Sequence, residues 1–295
     1  MTQTQFYIVD VFAEKKYTGN QLAVIRHAES LSALEMQQIA CEMNYSETTF
    51  ILSDDENEGG YDVRIFTPAA EVPFAGHPTL GTAFIIQREI IKQPIDELKL
   101  NLKVGKIPVK FYNHDNENNL LSMKQINPIF YETLDVNDLL NCLNLEKTDV
   151  DPDYSIQEVS TGIPFIIVPL TSIAALNRAH IKREQFFKFI ETKTAKAILL
   201  FCPDTYNQEN DLCVRVFADY YGVPEDPATG SANGCLAGYL IHNNYYDRSS
   251  IDIKVEQGYE IGRPSLLHLK AEKQDDRIDV YVGGRVQMVA SGVLV

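Results

Sequence analysis

One stretch of this chain occurs twice. Val63-Arg64-Ile65-Phe66 recurs as Val214-Arg215-Val216-Phe217, and Val72-Pro73 recurs as Val223-Pro224, both displaced by 151 positions. Two matches in one register predict a duplicated strand–turn–helix unit, and therefore two similar halves. Each copy runs into a Gly/Pro-rich turn that opens a small-residue helix, PFAGHPTLGTAF in the first half and PEDPATGSANGCLAGYL in the second. Thr18-Gly19 and Thr161-Gly162, each followed by a strand-like run, echo one another at a different offset, as an insertion between elements would produce. With 295 residues, each half has an ordinary domain size. The polar run Asn113 to Asn119 is the expected linker. It divides the chain into an N-terminal domain over 1–118, completed by 285–295, and a C-terminal domain over 119–284.

Local patterning fills in the first half. Phe6 to Phe12 and Leu22 to Ile25 are aromatic and β-branched and are separated by Tyr17-Thr18-Gly19-Asn20, which predicts a hairpin. Ser32 and Glu35 form a capping-box pattern ahead of Leu34, Met36, Ile39, Ala40 and Met43 at helical spacing, so a helix is expected up to Asn44-Tyr45-Ser46. Thr48 to Leu52 then reads as a strand, leaving Glu47 at the helix-to-strand junction. Asp62 to Thr67 alternates as a strand should. A helix is expected from about Thr79 to Glu89.

Composition removes several function classes. Lys+Arg total 26 against 41 Asp+Glu, a formal charge of −15, and no basic block interrupts it, so neither nucleic acid nor an anionic membrane surface is an expected partner. The five cysteines are scattered without a C-x-x-C pair, and the six histidines show no metal-ligand spacing. No G-x-G-x-x-G, Walker or G-x-S-x-G pattern is present. The N-terminal run lacks a basic leader with a long apolar region, and the most apolar segment, GIPFIIVPL, is short and holds two prolines. A cytoplasmic protein without a membrane span is expected.

Each repeated turn places small residues just before a helix. There a ligand can approach the backbone, and the helix N–H groups favour an anion such as a carboxylate or developing enolate. The plainer reading is that Gly76, Gly81, Gly230 and Gly234 serve tight turns and close packing. In or near these turns stand three groups able to move protons: His77, Asp226 and Glu47. A proton-shifting reaction needs one group to remove a proton and the same or another group to return it. Each also has an ordinary explanation. Asp226 before Pro227 can initiate a turn, His77 can be a satisfied loop histidine, and Glu47 can be a solvated charge.

On Asp10-Val-Phe, Gly19-Asn20-Gln21-Leu-Ala-Val, Ser46-Glu47-Thr48-Thr49-Phe50, Arg64-Ile-Phe-Thr-Pro, Pro73-Phe-Ala-Gly76-His77-Pro and Glu225-Asp226-Pro-Ala-Thr-Gly230-Ser231-Ala-Asn-Gly, the chain resembles the PhzF-like family of phenazine-biosynthesis isomerases. That family shares its fold with the diaminopimelate epimerases. Gly262-Arg263-Pro264-Ser265 continues the likeness. The resemblance implies an α+β fold of two pseudo-symmetric domains, each a mixed sheet or barrel around a central helix, with the active site between them and a homodimeric assembly. It implies cofactor-free chemistry on a small substrate carrying a carboxylate. By the motif matches, Glu47 is the acid/base assisted by His77 and Asp226. Gly76, Gly230 and Ser231 would hold the carboxylate, and Asn20 and Ser46 complete the substrate-binding set. The thiol-dependent epimerase relatives carry one cysteine per half. Counting by the repeat, those positions are Ala75 and Asp226, which argues against a two-thiol mechanism. The expected activity is a proton-shifting isomerase acting on an amino-acid- or anthranilate-like metabolite. An epimerase or racemase, and a non-catalytic metabolite-binding protein, are the alternatives.

Overall fold

The structure, a computed structural model, describes residues 3–112 and 119–295, so positions 113–118 of the expected linker lie outside the described residues. The first part of the chain forms β1 (Gln5–Val11), β2 (Asn20–Arg26), α1 (Ala33–Met43), β3 (Thr48–Ile51), β4 (Tyr61–Phe66), β5 (Glu71–Val72), α2 (Gly76–Ile85), β6 (Glu97–Leu102), β7 (Gly105–Tyr112) and β8 (Leu120–Lys124). The second part forms β9 (Ile129–Leu134), α3 (Val136–Leu143), β10 (Ile156–Ser160), β11 (Pro164–Pro169), α4 (Ile173–Arg178), α5 (Arg183–Ile190), β12 (Ile198–Cys202), β13 (Leu212–Ala218) and β14 (Val223–Asp226). It continues through α6 (Gly230–His242), β15 (Ser250–Gln257), β16 (Ser265–Gln274) and β17 (Arg277–Val293). The chain divides into two compact units, Met1–Met123 with Gly283–Val295, and Lys124–Val282.

In the first unit eight strands close on themselves. The ring runs β1, β2, β3, β4, β6, β7, β8 and then the last part of β17, which returns to β1. At the closure Gly283 passes so near β8 that a Cβ would meet the Leu121 carbonyl at 2.5 Å. Inside the ring lies α2, whose sequence GHPTLGTAFI is apolar on every side apart from His77 and two threonines. A helix with no polar face is stable only when surrounded, and from His77 to Ile85 every residue of α2 is buried. Gly81 makes the fit possible, because a Cβ there would strike Leu22 at 2.5 Å and Val11 at 2.9 Å. The helix begins at Gly76, earlier than the sequence pattern predicts, because Pro78 is tolerated within a first turn where its missing N–H costs nothing. It ends in a π-helical turn over Ile86–Ile91.

The second unit repeats this plan. β10–β11 matches β1–β2 as an antiparallel pair. β11–β12 matches β2–β3 as a parallel pair with helices in the crossover, and β12–β13 matches β3–β4. β13–β15 and β15–β16 then match β4–β6 and β6–β7. α6 packs on β10, β11, β15 and β16 and is buried through most of its length. The α+β class with a mixed sheet around a central helix therefore holds in both units.

The repeat register needs one correction. Ile65 pairs with Val72, whereas its counterpart Val216 pairs with Asp226, because a β-bulge interrupts β13–β14. The matching Val-Pro dipeptides are thus not structural equivalents. Val72 corresponds to Asp226, and the helix caps are Ala75 and Thr229. An arginine pins each hairpin at the repeated position: Arg64 grips Glu71 through two contacts of 2.8 Å, and Arg215 grips Glu225 at 2.9 and 2.8 Å.

Gly81→Val should overpack the interior of the first unit and lower unfolding stability by about 1–3 kcal/mol in urea titrations without changing the slope. An unshifted midpoint would mean that α2 does not sit tightly against β1 and β2.

Candidate active site

In the first unit the candidate residues gather where α1 hands over to β3. Ser32 caps α1, its Oγ accepting from the Glu35 N–H, while the Glu35 carboxylate accepts from the Ser32 N–H at 2.7 Å. Asn44 ends the helix in a left-handed conformation at φ 53°. That reversal feeds Tyr45-Ser46-Glu47 straight into β3, which runs parallel to β2 with Ala23 beside Thr48. The same register, carried back along both strands, sets Glu47 beside Leu22 and Ser46 beside Gln21.

The first turn of α2 supplies the partner. Glu47 Oε2 lies 3.4 Å from His77 Nε2, and both atoms are shielded from solvent. The ring bonds the backbone of Gln21, the residue after Asn20, so Asn20, Ser46, Glu47, Gly76 and His77 share one corner of this unit. Burial pushes the His77 ring down to about 3, with the Gln21 bond opposing in part. The ring is neutral at physiological pH. Because Nε2 faces Glu47, the Gln21 carbonyl takes the Nδ1 proton, and Nε2 presents a lone pair. A lone pair and an ionised carboxylate oxygen repel. A proton between them converts the contact to a hydrogen bond, and closing 3.4 Å to bonding distance needs only a few tenths of an ångström. The pair can hold and release one proton.

The second unit presents Asp226, Gly230 and Ser231 together on the turn from β14 into α6. Thr229 Oγ1 donates to Asp226 Oδ2. Gln257, wholly buried at the end of β15, meets the same turn. Its Nε2 donates to the Asp226 carbonyl at 2.7 Å, and its Oε1 accepts from the Thr229 N–H at 3.2 Å. The Thr161 hydroxyl, beside Gly162, donates to the Ser231 carbonyl at 3.3 Å.

His77 is thus a helix residue rather than a loop one, and Glu47 is not a solvated charge: its side chain is 20 % exposed. Sequence reasoning does not single out Gln21, Thr229 or Gln257 as polar partners of these groups. Gln257-Gly258 lies just ahead of the Gly262-Arg263-Pro264-Ser265 likeness, which is its only signal. The thiols belong to the interior. Cys213 and Cys235 are fully buried, burial pushes Cys235 up to about 11 and Cys213 higher still, and neither helix cap is a cysteine. Among the described residues no three His, Cys, Asp or Glu side chains cluster as metal ligands would, and no helix is long and apolar enough to cross a membrane.

The burial of neutral His77 has a consequence for stability. Its folded value lies below the unfolded one, so the stabilisation is complete above about pH 6.5 and is lost as pH falls toward 3. Between pH 7 and pH 5, wild type should lose about 1–2 kcal/mol relative to His77→Gln in parallel urea titrations. An unchanged difference would show that the folded protein protonates the ring as readily as the unfolded chain does.

Comparison with known proteins identifies the family. The phenazine biosynthesis-like protein family (PhzC-PhzF) matches residues 9–292. The trans-2,3-dihydro-3-hydroxyanthranilate isomerase of Pseudomonas aeruginosa is 34% identical, over 98% of each chain. An uncharacterized isomerase of Clostridium acetobutylicum is 32% identical over 98% of this chain and 97% of its own length. The crystal structure of a PhzF-family phenazine biosynthesis protein from Bacillus anthracis superposes with a TM-score of 0.91 at 26% identity, over the whole of both chains. With the family matched along nearly the full length of the chain, and with full-length relatives named as isomerases, this chain belongs to the PhzC-PhzF phenazine biosynthesis-like family and is an isomerase of it.

Proposed function

We propose that the protein catalyses a cofactor-independent proton shift on a small metabolite carrying a carboxylate, with Glu47 as the acid/base. The observation that carries this reading is the shielded contact between Glu47 Oε2 and the neutral His77 ring at 3.4 Å. A carboxylate cycling between charged and neutral forms must be spared full solvation in both, and a neutral imidazole lone pair accepts a hydrogen bond from the protonated carboxyl without adding charge.

In this reading the Glu47 carboxylate removes a proton from a carbon made acidic by conjugation with the substrate carboxylate. The electron pair left behind delocalises along the conjugated system. The Glu47 carboxyl, whose proton exchanges with solvent while it is resident, then delivers a proton to the far carbon, so composition and charge are unchanged over the cycle. His77 keeps the Glu47 carboxyl oriented and accepts its hydrogen bond while the proton is resident. Asp226 is the second ionisable participant. Gly76, Gly230 and Ser231 offer N–H groups in the first turns of α2 and α6, where neither helix has a side-chain cap, and the helix dipole favours a carboxylate there. Asn20 and Ser46 flank the Glu47 corner as polar substrate contacts.

Glu47 and His77 stand on the same side of whatever they serve. They support return of the proton to the face it left, as a shift by one shuttling carboxylate gives, whereas inversion at a single carbon needs groups on opposite faces. Anthranilate-like and amino-acid-like carboxylates are the substrate classes to test first, trans-2,3-dihydro-3-hydroxyanthranilate being the compound named for the Pseudomonas aeruginosa relative.

The test is NMR in deuterated water with a panel of such compounds. Wild type should incorporate deuterium, and Glu47→Gln should slow incorporation by at least about 10²-fold. Incorporation retained in Glu47→Gln would transfer the role to His77 or Asp226. Binding without exchange would indicate a metabolite-binding protein, and inverted chirality in the product would indicate an epimerase.

A further inference from the structure

Thr229 occupies the N-cap of α6, a position where a threonine hydroxyl ordinarily accepts from the first-turn N–H groups of its own helix. Here it does not: α6 has no side-chain cap, and the hydroxyl is turned away toward Asp226. Gln257 explains the direction. Its amide has one acceptor and one donor end, and the surroundings decide which is which. The Thr229 N–H and Asn233 Nδ2 at 2.9 Å are donors and select Oε1, while the Asp226 carbonyl is an acceptor and selects Nε2. Nε2 therefore donates to Thr229 Oγ1 at 3.1 Å. A hydroxyl has a single proton. Gln257 donates to one of the two lone pairs, and the proton is directed to the carboxylate oxygen it faces, Asp226 Oδ2.

The backbone enforces the same contact. Gly258, at φ +79°, lies so close to the Asp226-Pro227 turn that a Cβ would meet the Pro227 carbonyl at 2.6 Å. Gln257 and Gly258 thus clamp the turn from β15, an element distant in sequence from β14, through one fully buried side chain. A turn that needed only stability could use its own hydroxyl to cap the helix. This one forgoes the cap, and the Gln257 amide bonds both the backbone of the turn and the hydroxyl that meets the Asp226 carboxylate.

We propose that Thr229 and Gln257 are positioning residues for Asp226: Gln257 orients the Thr229 hydroxyl, and that hydroxyl holds the Asp226 carboxylate in the single orientation used in proton transfer. The functional half of this inference rests on the participation of Asp226 set out above, and the experiment separates the two.

In protein labelled with ¹³C-threonine and observed in ordinary water, the Thr229 hydroxyl proton should give a resolved resonance that exchanges slowly with solvent. Its exchange should accelerate at least tenfold in Gln257→Leu, and also in Gln257→Glu, which keeps an acceptor for Asn233 and guards against a folding defect in the first variant. Deuterium uptake into trans-2,3-dihydro-3-hydroxyanthranilate should fall at least tenfold in kcat, with little change in KM, for Thr229→Val. It should return to within about threefold of wild type in Thr229→Ser, which restores the hydroxyl. A Thr229 hydroxyl that exchanges at the solvent-exposed rate in wild type, or one indifferent to both Gln257 variants, overturns the proposal. So does equal turnover by Thr229→Val and Thr229→Ser. Asp226→Asn is the control for the underlying reading: full turnover by that variant removes Asp226 from the chemistry whatever the hydroxyl shows. The hydroxyl measurement needs no substrate, so it decides the positioning claim even where the chosen compound is not turned over.

Discussion

An all-apolar helix can exist in water only if something encloses it, and the enclosure of α2 by a ring of eight strands is the constraint from which the rest of the first unit follows. Apart from His77 and two threonines, nothing along GHPTLGTAFI can face solvent at low cost, so β1 to β4, β6 to β8 and β17 must close around it, and Gly81 must stay small to let them. The one ionisable side chain in that helix is carried inward with it. His77 is neutral because the helix is buried, and it meets Glu47 because α2 begins where β2 and β3 run side by side. The chemistry of the corner is a by-product of the packing problem solved around it.

The second unit solves the same problem with different residues. α6 is again enclosed by a sheet of the same topology, and an arginine at the same repeat position pins the hairpin that delivers its first turn. Where the first unit sets a histidine inside the helix, the second sets an aspartate three residues before the cap and holds it from a distant strand. The β-bulge in β13–β14 provides that difference. By adding residues between paired positions it moves Asp226 to the place that Val72 occupies in the other hairpin. Duplication supplied two copies of a helix-presenting turn, and a local change of register made one of them acidic.

Much of this is legible in the order of the residues. The repeated Val-Arg-hydrophobic-Phe strand announces two units, the capping box places α1 to within a residue, and the Gly/Pro-rich turns mark the starts of two small-residue helices. Where pattern and structure differ, the cause lies in long-range pairing or in context. Val72-Pro73 and Val223-Pro224 match in sequence but are not equivalent in space, because a bulge changes pairing without changing local composition. The start of α2 falls before the expected residue, because Pro78 reads as a break unless the helix begins ahead of it. Gln257 carries no local signature, since a glutamine at a strand end is unremarkable and its meaning lies entirely in the turn it faces.

By itself the sequence determined the elements whose cause is local: strands from alternation, a helix from its cap and period, and turns from glycine and proline that open two small-residue helices. The tertiary structure decided which polar groups meet. Glu47 reaches His77 through the parallel register of β2 and β3 and the depth of α2 in its barrel, and Gln257 reaches Asp226 through the parallel pairing of β13 and β15. Those meetings depend on long-range pairing and on the exclusion of water, which set both the distances and the neutral state of the ring. Neither is a property of any short run of residues.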